Sequence, residues 1–263
     1  MIQYFTMKEK LTEQELSLIK MMTRSGESLN RISTRLKKSK TTVYYHFRKI
    51  RGRTVNPITV QSNNQKQIGE FMGLFAGDGS FDKTSDYKYR IRLHFNITEG
   101  DFIKSLINNC LLPLFANPPM VFDEKNKFTL CYYSKNIYAL IISYLTWSRK
   151  MPKTYSVHLK KSSYCKDFMT GFIRGSLDSD GYLSSKSISF ATVSPGLRDN
   201  ICLFLDKLGY SYSSLVYKDK RPNRVDIFHV NIHKSNFKRF LMNIEPRNKR
   251  GLNAPAGIRI SER

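Results

Sequence analysis

Acidic residues are scarce. The chain has 263 residues, and its 21 Asp plus Glu stand against 44 Lys plus Arg, a net charge of +23. A deficit of that size points to a polyanionic partner, nucleic acid first and an anionic membrane second. Long apolar runs are also missing. A bilayer needs roughly 20 consecutive apolar residues, and no stretch approaches that. No cleavable N-terminal signal is visible, so the expectation is an intracellular, cytoplasmic, monomeric protein that does not engage a membrane. Cysteine is sparse and scattered: Cys110, Cys131, Cys165 and Cys202 form no C-x-x-C pair. That excludes both a disulfide frame and a cysteine zinc site. His229 and His233 lie four apart in a strand-like run without the helical H-E-x-x-H context, which argues against zinc there too. What remains is ordinary for a globular chain, with 40% hydrophobic residues, enough for one large or two modest domains.

Two stretches stand out, Ile68 to Phe81 (IGEFMGLFAGDGSF) and Gly171 to Leu183 (GFIRGSLDSDGYL). Each reads as a short apolar helix running into Asp-Gly, at Asp78-Gly79 and Asp180-Gly181. Small residues recur every four positions: Gly69, Gly73 and Gly77 in one, Gly171, Gly175 and Ser179 in the other. Residues four apart share a helix face. Each interior glycine costs about 1 kcal/mol relative to alanine, a cost that makes sense where two backbones must approach closely. The expectation is a parallel helix pair, joined through Gly69, Gly73, Gly171 and Gly175. Its C-terminal ends then bring Asp78 and Asp180 together. Two carboxylates at helix C-termini repel each other and the helix dipoles. A hard divalent cation such as Mg²⁺ would offset that repulsion.

The chain divides by composition into a unit over residues 1–57, a polar linker at 58–64, and two repeats at 65–160 and 161–263. In the first unit, Leu11 to Arg24 reads as an amphipathic helix capped by Thr12, Ser28 to Leu36 as a second and Lys40 to Ile50 as a third. Two short helices joined by the turn at Lys37-Lys38-Ser39 form a helix-turn-helix pattern. From Arg31 to Arg53 there are nine Lys or Arg and no acid. With Val43 and Phe47 inward, Lys40, Thr41, Thr42, Tyr44, Tyr45 and Arg48 are left for DNA.

The rest is an internal repeat. Asp78 and Asp180 lie 180 − 78 = 102 apart, and Phe128, Leu130, Asn136 and Leu140 align with Phe228, Val230, Asn236 and Phe240 at an offset of 100. Each half reads helix, two strands, helix, two strands, helix, an α+β pattern with antiparallel hairpins under helices. In the strand from Tyr87 to Ile97, apolar residues alternate with Lys88, Arg90, Arg92, His94 and Asn96. A period of two places a basic face, free of acids along this strand, opposite the core, suited to the major groove. The matching strand of the second half exposes Ser187 and Ser189 instead, so an asymmetric DNA target follows.

The motif pair, Met72 to Gly79 and Arg174 to Gly181, resembles the signature of single-chain LAGLIDADG homing endonucleases. The resemblance implies two pseudo-symmetric αββαββα repeats forming a DNA-binding saddle, and double-stranded cleavage with Mg²⁺, for which Mn²⁺ substitutes. It assigns the metal site to Asp78, Asp180, Gly77 and Ser179, the two acids being the ligands of the catalytic metal. It places a basic residue after each half's last helix, here Lys150 and, in the second half, Lys249 in competition with Arg250. It also puts a polar residue near the metal-bound water, here Asn96. The earlier acidic position of the motif is Ala76 in one copy and Asp178 in the other. The N-terminal unit resembles the helix-turn-helix of bacterial and archaeal regulators and of some homing enzymes. A non-cleaving DNA-binding regulator and an RNA maturase acting on intron RNA are the alternatives.

Overall fold

The computed structural model describes residues 11–51, 58–85, 88–218 and 225–248. Lys249, Arg250 and the side chain of Lys88 lie outside them. The chain forms two compact units, 1–56 and 57–263.

In the first unit, α1 (Glu13–Arg24) starts at Thr12. The Thr12 hydroxyl accepts from the Glu15 N–H at 3.2 Å, and Glu15 Oε2 accepts from the Thr12 N–H at 2.8 Å. Such a reciprocal cap is worth about 1 kcal/mol. Ser28 caps α2 (Leu29–Leu36) by accepting from the Arg31 N–H, and Lys37 ends it at φ 51°. That left-handed residue turns the chain into α3 (Lys40–Arg51), where Ser39 Oγ accepts from the Thr42 N–H. Ile19, Met22, Ile32, Val43 and Phe47 close a small core. Lys40, Thr41, Tyr44, Tyr45 and Arg48 are exposed, whereas Thr42 is half-buried with its hydroxyl 2.8 Å from that of Ser39.

The second unit is built on α4 (Gln65–Asp78) and α9 (Lys166–Asp180). After α4 come β1 (Gly79–Ser85), β2 (Lys88–Asn96), α5 (Gly100–Leu106), a π-helical turn at Ile107–Leu111, α6 (Leu112–Phe115), β3 (Met120–Glu124), β4 (Lys127–Tyr133) and α7 (Lys135–Tyr144). A short bridge follows, β5 (Leu145–Thr146) paired with β6 (His158–Leu159) around α8 (Lys153–Ser156). After α9 come β7 (Gly181–Leu183), β8 (Ile188–Thr192), α10 (Pro195–Lys207), β9 (Tyr212–Tyr217), β10 (Ile227–Ile232) and α11 (Phe237–Ile244). The two sheets have the same antiparallel order, β1-β2-β4-β3 and β7-β8-β10-β9. In each, the strand that leaves the glycine-rich helix sits at one edge.

The alternation in β2 sets which face is buried. Ile91, Leu93 and Phe95 are buried under the helices, while Arg90, Arg92 and His94 keep partial solvent contact on the other face. In β8, Ile188 and Phe190 are buried and Ser189 faces outward. Residues 58–64 are not a free linker. Ile58 and Val60 lie against the core, the Ile58 carbonyl accepts from Asn136 Nδ2, and the Gln61 N–H donates to the Leu114 carbonyl. The apolar residues Ile58 and Val60 overrode the polar character of their neighbours.

Candidate metal and nucleic-acid site

The glycine stripes are where α4 and α9 meet. A Cβ on Gly69 would strike the Phe168 carbonyl and one on Gly73 the Phe172 carbonyl. In the opposite direction, Gly171 faces the Lys66 carbonyl and Gly175 the Glu70 carbonyl. These are backbone-to-backbone contacts that no side chain can yield to. The pairing climbs in step along both helices, so the helices run parallel and end together. At that end a Cβ on Gly77 would lie 2.6 Å from Asp180 Oδ2. Asp180 therefore leans across the first helix's last turn.

Both acids are uncomfortable as anions. Burial, then the charges of Asp180 and Glu99, push the Asp78 carboxyl up to about 7, against the pull of Lys153. Burial raises Asp180 as well, again opposed by Lys153. Asp180 is exposed to solvent at this rim, and Asp78 is half-buried. Lys153 is the cation in this arrangement. Its Nζ donates to the carbonyls of Phe75 at 2.5 Å, Ala76 at 2.6 Å and Gly77 at 3.3 Å, and lies 5.0 Å from the Phe75 ring centroid. It thus caps the open carbonyls of the α4 C-terminus, where a positive charge complements the helix dipole. Burial pushes its amine down to about 8, while Asp180 and Asp78 resist.

Lys150, by contrast, is exposed. Its backbone N–H donates to Ser148 Oγ within the loop that precedes α8. Lys153, the first residue of α8 and three positions further on, is the lysine that turns inward, a local detail without a periodic signature. The Gly77 carbonyl, expected beside the metal, accepts from Lys153, and Ser179 Oγ donates back to the Gly175 and Ser176 carbonyls at 3.0 and 3.3 Å. Asn96 is exposed, and its Oδ1 accepts from the Thr98 N–H and hydroxyl, capping the turn at Ile97–Glu99. These bonds orient its side chain to the turn.

A second set of charges was not foreseen from the sequence. Glu70, fully buried on α4, accepts from Arg174 Nη1 of α9 at 3.2 Å and from Arg247 Nη2 at 3.1 Å, with Arg247 Nε also donating to it. Arg174 also donates to the Ile244 carbonyl at 2.6 Å and to Glu245 at 2.9 Å. Asp178 accepts from the backbone N–H groups of Arg247 and Asn248 at 3.0–3.2 Å. Burial pushes Asp178 up to about 7 against those hydrogen bonds. Asn248 Nδ2 donates to the Asp178 carbonyl at 3.4 Å and to Glu99 Oε1 at 2.8 Å. Asp178 stands 102 residues after Ala76, so its carbonyl occupies the place in α9 that the Ala76 carbonyl has in α4. An amide meets one of these carbonyls and an ammonium the other. The cue was an acid and an arginine inside apolar helices, but their partners on the chain past α11 carry no recognisable spacing.

On the open face of the first sheet, the expected basic row contains an acid from the neighbouring strand. Asp82 of β1 lies opposite Arg90 in register. Its Oδ2 accepts from Arg90 Nη2 at 2.5 Å and Nε at 3.2 Å and from Arg92 Nη2 at 2.7 Å. The Arg90 hydrogen bond, aided by the charge of Arg92, holds the Asp82 carboxyl below its usual range. His94 lies between Ser80 Oγ at 3.1 Å and Thr129 Oγ1 at 3.2 Å. Burial and the charge of Arg92 lower its pKa, favouring the neutral ring. The alternation along one strand cannot reveal what the next strand places beside it.

Residues 167–245 match the family described as LAGLIDADG-like domain. A stretch of 178 residues, 63% of this chain, is 24% identical to an uncharacterized protein of Methanocaldococcus jannaschii. The match spans 63% of that relative's length. Among solved structures, mesophilic variants of the homing endonuclease I-DmoI superpose with a TM-score of 0.52 at 16% identity, covering 70% of this chain and 97% of theirs. I-DmoI in complex with DNA and Mn gives 0.51 at 16% identity, covering 69% of this chain and 97% of that one. The likeness is one of fold. Among the described residues, no helix is long and apolar enough to cross a membrane.

Proposed function

We propose that residues 57–263 form a metal-dependent, site-specific endonuclease for double-stranded DNA, and that α2 and α3 of the first unit form a helix-turn-helix adding contacts to the same DNA. The observation that carries this reading is the glycine-tight parallel helix pair that delivers two carboxylates, both strained as anions, to one spot. Among the described residues, no cluster of three or more His, Cys, Asp or Glu forms a closed metal cage. Two carboxylates at an open rim fit instead a hard cation that keeps water and takes phosphate oxygens as its remaining ligands, as Mg²⁺ does. A divalent cation bound there would supply an activated water and offset charge on the phosphate and leaving oxygen. Asp78 and Asp180 would hold it. Lys153 would offset developing negative charge, its amine kept dry and close by the α4 carbonyls. The DNA and Mn bound to I-DmoI, and the +23 charge of this chain, support a DNA substrate.

The test is cleavage of a randomised duplex library with Mg²⁺, followed by gel shift on the enriched site. Asp78→Asn and Asp180→Asn should each reduce cleavage by on the order of 1000-fold, since several kcal/mol of charge stabilisation is lost. Binding of the site should persist in both. Full cleavage by either variant would remove the metal assignment. Specific binding without any cleavage by the unaltered protein would make the chain a DNA-binding regulator.

A further inference from the structure

The triad of Asp82, Arg90 and Arg92 is poorly explained as a stabilising device. All three side chains are a quarter to a third exposed, at 35, 33 and 27%. Ion pairs at such exposure contribute little to stability. One carboxylate for two guanidiniums also leaves a net positive charge on the open sheet face. Arg92 Nε is buried without an acceptor among the described residues. A purely structural ion pair would be expected to satisfy that donor.

The geometry suits recognition. A guanidinium has two edges that can bond in a fork, Nε with one Nη, and Nη1 with Nη2. Asp82 occupies the Nε–Nη2 edge of Arg90. The side chain is thereby fixed on the sheet, and the Nη1–Nη2 edge is the one left to meet a ligand. Arg92 is held through a single Nη2 donor. Bracing lowers the ordering cost that a free arginine pays on binding. It also partly neutralises the pair, which weakens indiscriminate attraction to phosphate. The planar fork that remains matches the O6 and N7 acceptors of guanine in the major groove.

Among the described residues, the second sheet has no equivalent. Its outward row in the corresponding strands is Ser189, Asn231 and Ser213, paired across β8, β10 and β9. We propose that Arg90 and Arg92, braced by Asp82, are guanine-reading residues for one half of an asymmetric DNA target. This rests on the DNA-binding part of the proposed function and adds the base identity and the half-site.

The experiment is selection of bound duplexes from a randomised library by the full chain in chelated buffer, repeated with Arg90→Lys, Arg92→Lys and Asp82→Asn. Lysine keeps the charge and the attraction to phosphate but loses the fork. The expected result is a consensus with guanine at two positions of one half-site, each preferred by about 5- to 150-fold. Each lysine variant should flatten one of those positions while leaving the salt dependence of binding unchanged. Asp82→Asn should relax both, with the other half-site unaltered. Guanine preference retained by both lysine variants, or a consensus without guanine in either half, overturns the inference while leaving DNA recognition intact. No enrichment by the unaltered protein overturns DNA recognition and this inference together. Melting curves of the three variants identify any that fail to fold, and the remaining ones decide the outcome.

Discussion

Lys150 and Lys153 lie three positions apart, and the fold treats them differently. Lys150 lies in water, where a lysine is a solvated point charge. Lys153 is drawn inward by three helix-terminal carbonyls and two carboxylates, against the cost of burying an amine. Substituting each in turn tests the difference directly. Lys153→Met should slow cleavage by about 100-fold or more, the range seen when a preorganised charge-stabilising group is lost. Lys150→Met should leave the single-turnover rate within about twofold. A Lys153→Met rate within about twofold of the unaltered protein would show that the Lys153 position has no catalytic consequence.

At the scale of elements, the α4–α9 contact has the least tolerance. The atoms facing Gly73 and Gly175 are backbone carbonyls and amides, so an added methyl can be relieved only by moving a helix. Gly73→Ala should lower stability by about 1–3 kcal/mol, the usual range for overpacking. Cleavage should fall further than stability alone explains, because separating the helices also separates Asp78 from Asp180. Gly100 supplies the control. It is helical at φ −52°, and nothing lies within 4 Å of an added Cβ. Gly100→Ala should be neutral or stabilising by about 0.4–1 kcal/mol. Denaturant titration of the two variants checks both signs, and equal midpoints would show that the helix contact has slack.

At the scale of the whole molecule, charge is divided between the units. Residues 1–57 carry 13 Lys plus Arg against 4 Asp plus Glu, or +9. Removing that unit should weaken DNA binding, shorten the footprint on one flank and flatten the salt dependence by about 0.9 log units per log salt for each phosphate that the unit neutralises. Chemistry on saturated substrate should survive, because Asp78, Asp180 and Lys153 all belong to the other unit. The truncation belongs before Ile58, whose carbonyl accepts from Asn136 and whose side chain lies on the core. A cut at Asn64 would strip away that packing and confuse DNA binding with stability. Footprints and affinities at several salt concentrations, compared between the two proteins, measure the effect. Identical slopes would take DNA binding away from the first unit.

The amino-acid order by itself determined whatever has a short period or a local cause. Glycines four apart gave the helix pair and its contact face, alternation in β2 and β8 gave the buried sides, and Thr12 gave the start of α1. The acids at the helix ends followed from the same stripes, because parallel glycine contacts leave few places for Asp78 and Asp180 to go. Only the tertiary structure decided which lysine faces them, since α8 turns Lys153 inward by a local bend rather than by a repeat. It alone placed Asp82 against Arg90 and Arg92, because a strand's period says nothing about its neighbour's register. It also gathered Glu70, Arg174, Asp178 and Arg247 into one buried set. Charges that far apart in the chain meet only after the core has closed, and burial is what makes each of them need the others.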